Sequence, residues 1–291
     1  MKKRVAYLVI GDKQFGGTNS GLNLTFDVPY TGTALTPNNA TFVLTNTNAS
    51  DTHEIVTNIS RWTERRRRIE CYAGYEDNVR QIFGGEILRA MPNGVPDTDI
   101  NIVALSNIQM MGNGNIKLDK VPSISLGKLL DLASTACGFK LIFTDKMSRS
   151  NLLNKHVKNY EFTGSPYAFL SDVLISIGTN NTQSKNAIAW SVANDIMYLG
   201  YQDEKNPASI PIINKNSGLI GIPSPTDTGV NIQIIMDVSL TPLQTIYLES
   251  ERLPLYNGLY NIINIRHNGE LRGNTWYSHL ECMRLPNEAY I

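Results

Sequence analysis

The chain has 291 residues, 42% of them hydrophobic and 18% charged, with 26 basic and 26 acidic side chains. That length suits two or three modest domains with real cores. The zero formal net charge removes any general pull toward nucleic acid or an anionic membrane. No apolar run approaches the ~18 residues of a membrane-crossing helix. The basic start Met1-Lys2-Lys3-Arg4 leads into too short an apolar stretch for a secretory signal. The expectation is a protein made and kept in a cytoplasm, or delivered within a particle.

Residues 1–110 read as β-rich, with apolar and polar residues alternating at the period of half-buried strands. Strands are predicted over residues 5–10, ended by Gly11-Asp12, and over 22–28, stopped by Pro29. Another follows the turn-prone Pro37-Asn38-Asn39 at 40–44. The capping cluster Asn48 to Asp51 introduces a short helix around His53 to Ile59. Residues 67–73 and 81–88 read as paired strands, and 100–105 as the last of the set. Glycine and asparagine at 110–115 mark a linker.

Residues 111–205 change character. Ser125 and the apolar spacing after it predict a helix stopped by Gly138. A short strand follows at 139–143. Ser165-Pro166 opens a second helix with a capping hydroxyl and an N1 proline. Phe169, Leu170, Val173, Leu174 and Ile177 form its apolar stripe, and Gly178 ends it. Residues 187–191 and 196–201 read as a hairpin. From 206 to 225 proline, glycine and asparagine punctuate the chain. Then four strands are predicted, at 230–236, 245–250, 258–267 and 275–283, with turns at Leu240-Thr241-Pro242, Leu253-Pro254-Leu255 and Asn268-Gly269. The fold class is therefore mainly β with an α+β insert, divided at 1–110, 111–205 and 206–291.

The residues that carry chemistry in other chains form no reacting set here. Cys71, Cys137 and Cys282 are odd in number and far apart, which points to buried free thiols. His53-Glu54 begins like a zinc-protease helix, but Thr57 stands where the second histidine is needed. His267 and His279 lie on neighbouring predicted strands, either as a metal pair or as two strand-end histidines satisfied by backbone or water. The sharpest charge feature is Arg65, Arg66, Arg67 and Arg68, preceded by Trp62 and flanked by Glu64 and Glu70. It reads as a contact for an acidic partner or phosphate, or as a solvated edge that discourages strand pairing.

Two ordered stretches resemble a known family. In the first, Ala40-Thr41-Phe42-Val43-Leu44-Thr45-Asn46 is followed by Ile69-Glu70-Cys71-Tyr72-Ala73-Gly74-Tyr75 and by Ile82-Phe83-Gly84-Gly85-Glu86-Ile87. In the second, Gly218-Leu219-Ile220-Gly221-Ile222-Pro223 precedes Gly258-Leu259-Tyr260-Asn261-Ile262, Ile265-Arg266-His267 and Trp276-Tyr277-Ser278. Together they resemble the baseplate hub proteins of contractile phage tails. The chain is short for a hub, and Asn268-Gly269-Glu270 displaces the acidic residue that usually follows the family's His-Gly turn.

The resemblance implies two tail-tube-like β-barrel domains flanking the α+β module, with Gly74, Gly84 and Gly85 at bulges or corners. It implies a structural role without catalysis or cofactor. A homotrimer would form a pseudo-sixfold ring, matched to the hexameric tail tube protein above and the threefold spike protein below, with baseplate wedge proteins around it. DNA would pass the lumen without sequence-specific binding, and no membrane would be entered. The implied location is the virion baseplate, assembled in the host cytoplasm. Arg65 to Arg68 become candidates for a partner interface. The rival readings are a tail-carried cell-wall hydrolase, which needs positioned carboxylates or a metal, and a host-glycan-binding module, which needs an exposed aromatic platform.

Overall fold

Alternating burial builds the first segment, because successive side chains of a strand point to opposite faces. Ala6, Leu8 and Ile10 of β1 (Arg4–Ile10) point inward, with Phe15 of β2 (Lys13–Gly16). So do Leu24, Phe26 and Val28 of β3 (Asn23–Tyr30) and Ala40, Phe42 and Leu44 of β4 (Asn39–Thr45). After α1 (Ala49–Thr57) come β5 (Arg68–Tyr75), β6 (Asn78–Asn93) and β7 (Asp99–Leu105), which bury Ile69, Cys71, Phe83, Ile87, Ile100 and Ile102. Each fully buried side chain of this size contributes roughly 1.5–3 kcal/mol. These positions come from a computed structural model that describes residues 2–18, 20–30, 38–57, 67–94, 98–106, 114–179, 187–205 and 210–285.

The middle segment contains β8 (Ile116–Ser125), α2 (Leu126–Ala136), β9 (Lys140–Phe143), α3 (Asp145–Ser148), β10 (His156–Gly164), α4 (Pro166–Ile177), β11 (Ile188–Ala193) and β12 (Ile196–Tyr201). The capping signals act as predicted. Ser125 Oγ accepts from Lys128 N at 3.3 Å, and Ser165 Oγ from Ala168 N at 3.2 Å. Gly178 ends α4 in the left-handed region. The apolar faces of α2 and α4 meet over β9, β11 and β12. Leu129, Leu130, Phe169, Leu170, Val173 and Met197 belong to a core of the module's own.

The last segment supplies β13 (Ile212–Ile213), β14 (Leu219–Pro225), β15 (Gly229–Ile235), β16 (Thr245–Leu248), β17 (Gly258–Glu270) and β18 (Trp276–Arg284). It does not stand apart from the first. β17 pairs antiparallel with β3 from Ile265↔Tyr30 to Glu270↔Thr25. The two outer segments thus make one 13-stranded sheet, ordered β14-β15-β18-β17-β3-β4-β7-β6-β5-β1-β2, with β13 and β16 branching from β17. Their buried residues form one cluster, in which Phe26 meets Trp276 edge-on with ring centroids 5.6 Å apart. The chain is mainly β with an α+β insert, as the pattern predicted. The linker at 110–115 lies largely outside the described residues.

Three local expectations need correction. Asn268-Gly269 is not a turn but part of β17, paired with Tyr277 and Trp276. Gly269 is there for a close approach, since a Cβ would stand 2.5 Å from the ring of Phe26; the reversal comes at 271–275. Pro29 does not stop β3. It pairs with Arg266 beyond the last β3–β4 partners, Asp27↔Thr41, where no second ladder needs its missing N–H. Residues 219–225, read as punctuation, form the edge strand β14, whose prolines suit an edge.

Gly74 does serve a corner. Its φ is 144°, and a Cβ would lie 2.1 Å from the carbonyl oxygen of Asn78. The β5–β6 register shifts between Cys71 and Tyr72, leaving Ile82 as the extra residue of a bulge.

Candidate assembly surface

Of the four arginines, Arg65 and Arg66 lie outside the described residues. Arg67 turns back on α1. Its Nη1 donates to the carbonyl oxygen of Glu54 at 2.7 Å, and its Nη2 stands 3.8 Å from the Glu54 carboxylate. Lys13 pairs with the same carboxylate. Glu54 is therefore a clasp between α1, β2 and the residue that leads into β5. Arg68 is half exposed and donates to Glu70 at 2.9 Å and to Asp195 at 3.1 Å.

That second bond belongs to the joint between insert and sheet. Asn194 and Asp195 form the two-residue turn of the β11–β12 hairpin, both with positive φ. Asn194 Nδ2 donates to the carbonyl oxygen of Gln81 at 2.8 Å, beside the β6 bulge. At the other end Asn261 of β17 donates to the carbonyl oxygens of Gln202 at 3.0 Å and Glu204 at 2.9 Å, and accepts from Thr245 Oγ1 at 2.7 Å. Asn261 is buried, so these bonds form away from water. The insert is held at two points by side chains whose roles depend on tertiary placement.

His267 and His279 do not converge. His279 pairs across with Arg266 and His267 with Ser278, so the two rings project to opposite faces. His267 faces the core, with Nδ1 2.9 Å from Ser278 Oγ, and burial pushes its pKa down to about 4. His279 is on the outer face, its pKa lowered by burial and then by Arg266. Among the described residues no three histidine, cysteine or acidic side chains gather as a metal site. Cys71, Cys137 and Cys282 are buried free thiols; burial raises all three pKa values, that of Cys137 to about 12.

The outer face of the sheet carries its exposed and half-buried side chains. Its registers give a polar row running from Thr41 through Asp27 and Asn268 to Tyr277. Its strongest charge pair is internal, since Arg266 holds the Asp27 carboxylate with two bonds of 2.6 and 2.5 Å. The row ends in apolar side chains. At one end are Ile222, 56% exposed, and Ile235, 48% exposed; toward the other are Leu88 at 46% and Met91 at 44%.

Ile220 and Ile222 border a cleft of about 600 Å³ whose outward side chains include Asn231, Gln233, His279 and Glu281. A second groove of about 620 Å³ lies between α4 and the sheet, lined by Tyr167, Ile175, Trp190 and Met283 among others.

Sequence reasoning missed these apolar ends. Their signal was an apolar residue at an outward position: Ile235 directly after the inward Ile234, Leu88 directly after Ile87, and Ile222 between Gly221 and Pro223.

No curated protein sequence matches the chain. The fold is similar to that of the 43 kDa tail protein of prophage MuSo2 from Shewanella oneidensis, over 97% of both chains at 9% identity, with a TM-score of 0.61. It is equally similar to the tail protein from Neisseria meningitidis MC58, over 97% of both chains at 6% identity and a TM-score of 0.62. A type VI secretion system component from E. coli, described as structurally similar to T4 bacteriophage tail proteins gp27 and gp5, aligns over 95% of this chain and 76% of its own at 9% identity and a TM-score of 0.58. The sequence model of the family described as baseplate hub gp41 matches residues 13–282. The chain belongs to the baseplate hub gp41 family of phage tail structural proteins.

Proposed function

We propose that this hub protein trimerises into a pseudo-sixfold ring that joins the hexameric tail tube to the threefold spike and surrounds the DNA channel. The observation that carries the reading is the β3–β17 junction. It places two β segments side by side in one sheet, so three chains would present six β units in sequence around a ring. Closure by rotation needs unlike, complementary ends on each chain, and the outer face has an apolar group toward each end. The proposed partners are the tube protein above, the spike protein below and wedge proteins at the rim. Assembly takes place in the host cytoplasm, before the protein enters the virion. DNA passes without base-specific contact.

Within this reading the arginine run is a rim contact. Arg67 is committed to Glu54; Arg68 is paired with Glu70 and Asp195 but half exposed, and it is proposed to reach an acidic neighbour together with Arg65 and Arg66. Reversing those three to glutamate is expected to abolish co-purification with tube or spike protein while leaving the circular dichroism spectrum unchanged. Undiminished co-purification would remove the run from the interface. For the ring itself, electron microscopy of the protein mixed with its spike is expected to give annular particles. Separate, unassociated proteins would contradict the reading.

A further inference from the structure

The cleft beside β14 and the free end of β6 carry opposite charges and exposed apolar side chains, and both belong to one chain. We propose that they are the two halves of the lateral contact: residues 88–91 of one copy seat in the β14 cleft of the next. The inference rests on the ring reading and names its interface.

β6 runs for 16 residues, and its end, 88–93, is exposed apart from half-buried Ala90. There Leu88 and Met91 offer apolar surface. Arg89 between them is exposed and has no ion-pair partner among the described residues. The cleft offers Ile220 and Ile222 as apolar surface, while Ile232 and Leu280 beneath it point into the core. Its charges are Arg266, neutralised by Asp27, the histidine His279 with its lowered pKa, and Glu281. Glu281 accepts from Asn264 Nδ2 at 2.6 Å and has no ion pair among the described residues. The cleft therefore carries the negative charge of Glu281, and residues 88–91 carry the positive charge of Arg89.

The contact is made by side chains and not by added strands. β14 is the sheet edge, but Pro223 and Pro225 remove donors from it, and its register breaks between Ile220 and Ser224. Extension by a neighbour's strand is blocked there, while the break lifts Ile222 into solvent at 56% exposure. Knob and cleft lie toward opposite ends of one sheet face. One copy's knob cannot meet its own cleft, and a chain of such contacts runs head to tail. The occupant committed to is thus a second copy of this chain.

Mixing the single variants Met91→Cys and Ile222→Cys of the full chain under mild oxidation tests the contact. The native thiols are buried and do not compete. The expected product is a disulfide-linked pair containing one chain of each kind, with neither variant cross-linking to itself. The charge swap is an independent check. Arg89→Glu is expected to raise the concentration needed for assembly about tenfold, and Glu281→Arg in the same chain to restore it. Self-linking of a single variant would mean a twofold contact and overturn the assignment. Wild-type protein that assembles while the mixture stays unlinked and the swap is silent would also overturn it, leaving the ring reading intact. A wild-type chain that stays monomeric with and without spike would defeat the ring reading itself, and this contact with it.

Discussion

His267 links the shared core to pH. It is 3% exposed, and burial lowers its pKa to about 4 from 6.5, with Asp237 opposing the shift and His279 adding to it. Above pH 6.5 the ring is neutral in folded and unfolded chains alike, and its contribution is fully present. As pH falls from about 6.5 to 4, the unfolded chain takes up a proton that the folded chain refuses, so stability is lost. The limiting loss is about 3 kcal/mol. Urea unfolding at pH 7, 5.5 and 4 is expected to show the decline, and His267→Gln to flatten most of it. An unchanged slope in the variant would contradict this role. Gly74 is the second sensitive residue. Its φ and the nearby Asn78 carbonyl leave no room for a Cβ, so Gly74→Ala is expected to cost at least about 2 kcal/mol in the same assay. Residues whose task is local were legible in this way: Ser125, Ser165 and Gly178 signal helix ends by their own chemistry. Asn261 was not, because two of its three partners, Gln202 and Glu204, belong to the insert.

At the scale of elements, the two joints of the insert differ in strength. The Arg68–Asp195 pair is partly exposed, and such pairs contribute about 0–1 kcal/mol. Asp195→Ala is therefore expected to leave the unfolding midpoint almost unchanged. Asn261→Ala leaves the part-buried carbonyl of Gln202 and the buried carbonyl of Glu204 without their donor and is expected to cost about 2 kcal/mol. It should also speed hydrogen exchange in β11 and β12. Equal effects from the two substitutions would mean that the joint is not built as described. Strands with clean alternation, such as β1, β4, β7 and β15, were legible because one face is buried and the other wet. β8 and β10 were not. Of the two, only β10 contributes a buried residue, Tyr160, and Lys117, Asp119 and Lys120 obscure the period of β8. The Asn268-Gly269 pair looked like a hairpin turn because glycine signals both a reversal and a close approach, and only the rings of Phe26 and Trp276 decide between them.

For the whole molecule, the order of segments was readable, but the pairing that joins the outer two was not. Strand β3 and strand β17 are separated by more than two hundred residues, and neither carries a mark of its partner. The assembly surface was hidden for a related reason: Leu88, Met91, Ile222 and Ile235 are conspicuous only once the inward face of each strand is known. The family resemblance rested on ordered segments, and the match over residues 13–282 places the chain among baseplate hubs. In the proposed ring three such chains close on one another. Light scattering on the purified protein, alone and with its spike, reads the closure as a mass. A closed ring gives the mass of three chains, either at once or when the spike is added. A mass of one chain under both conditions would contradict it.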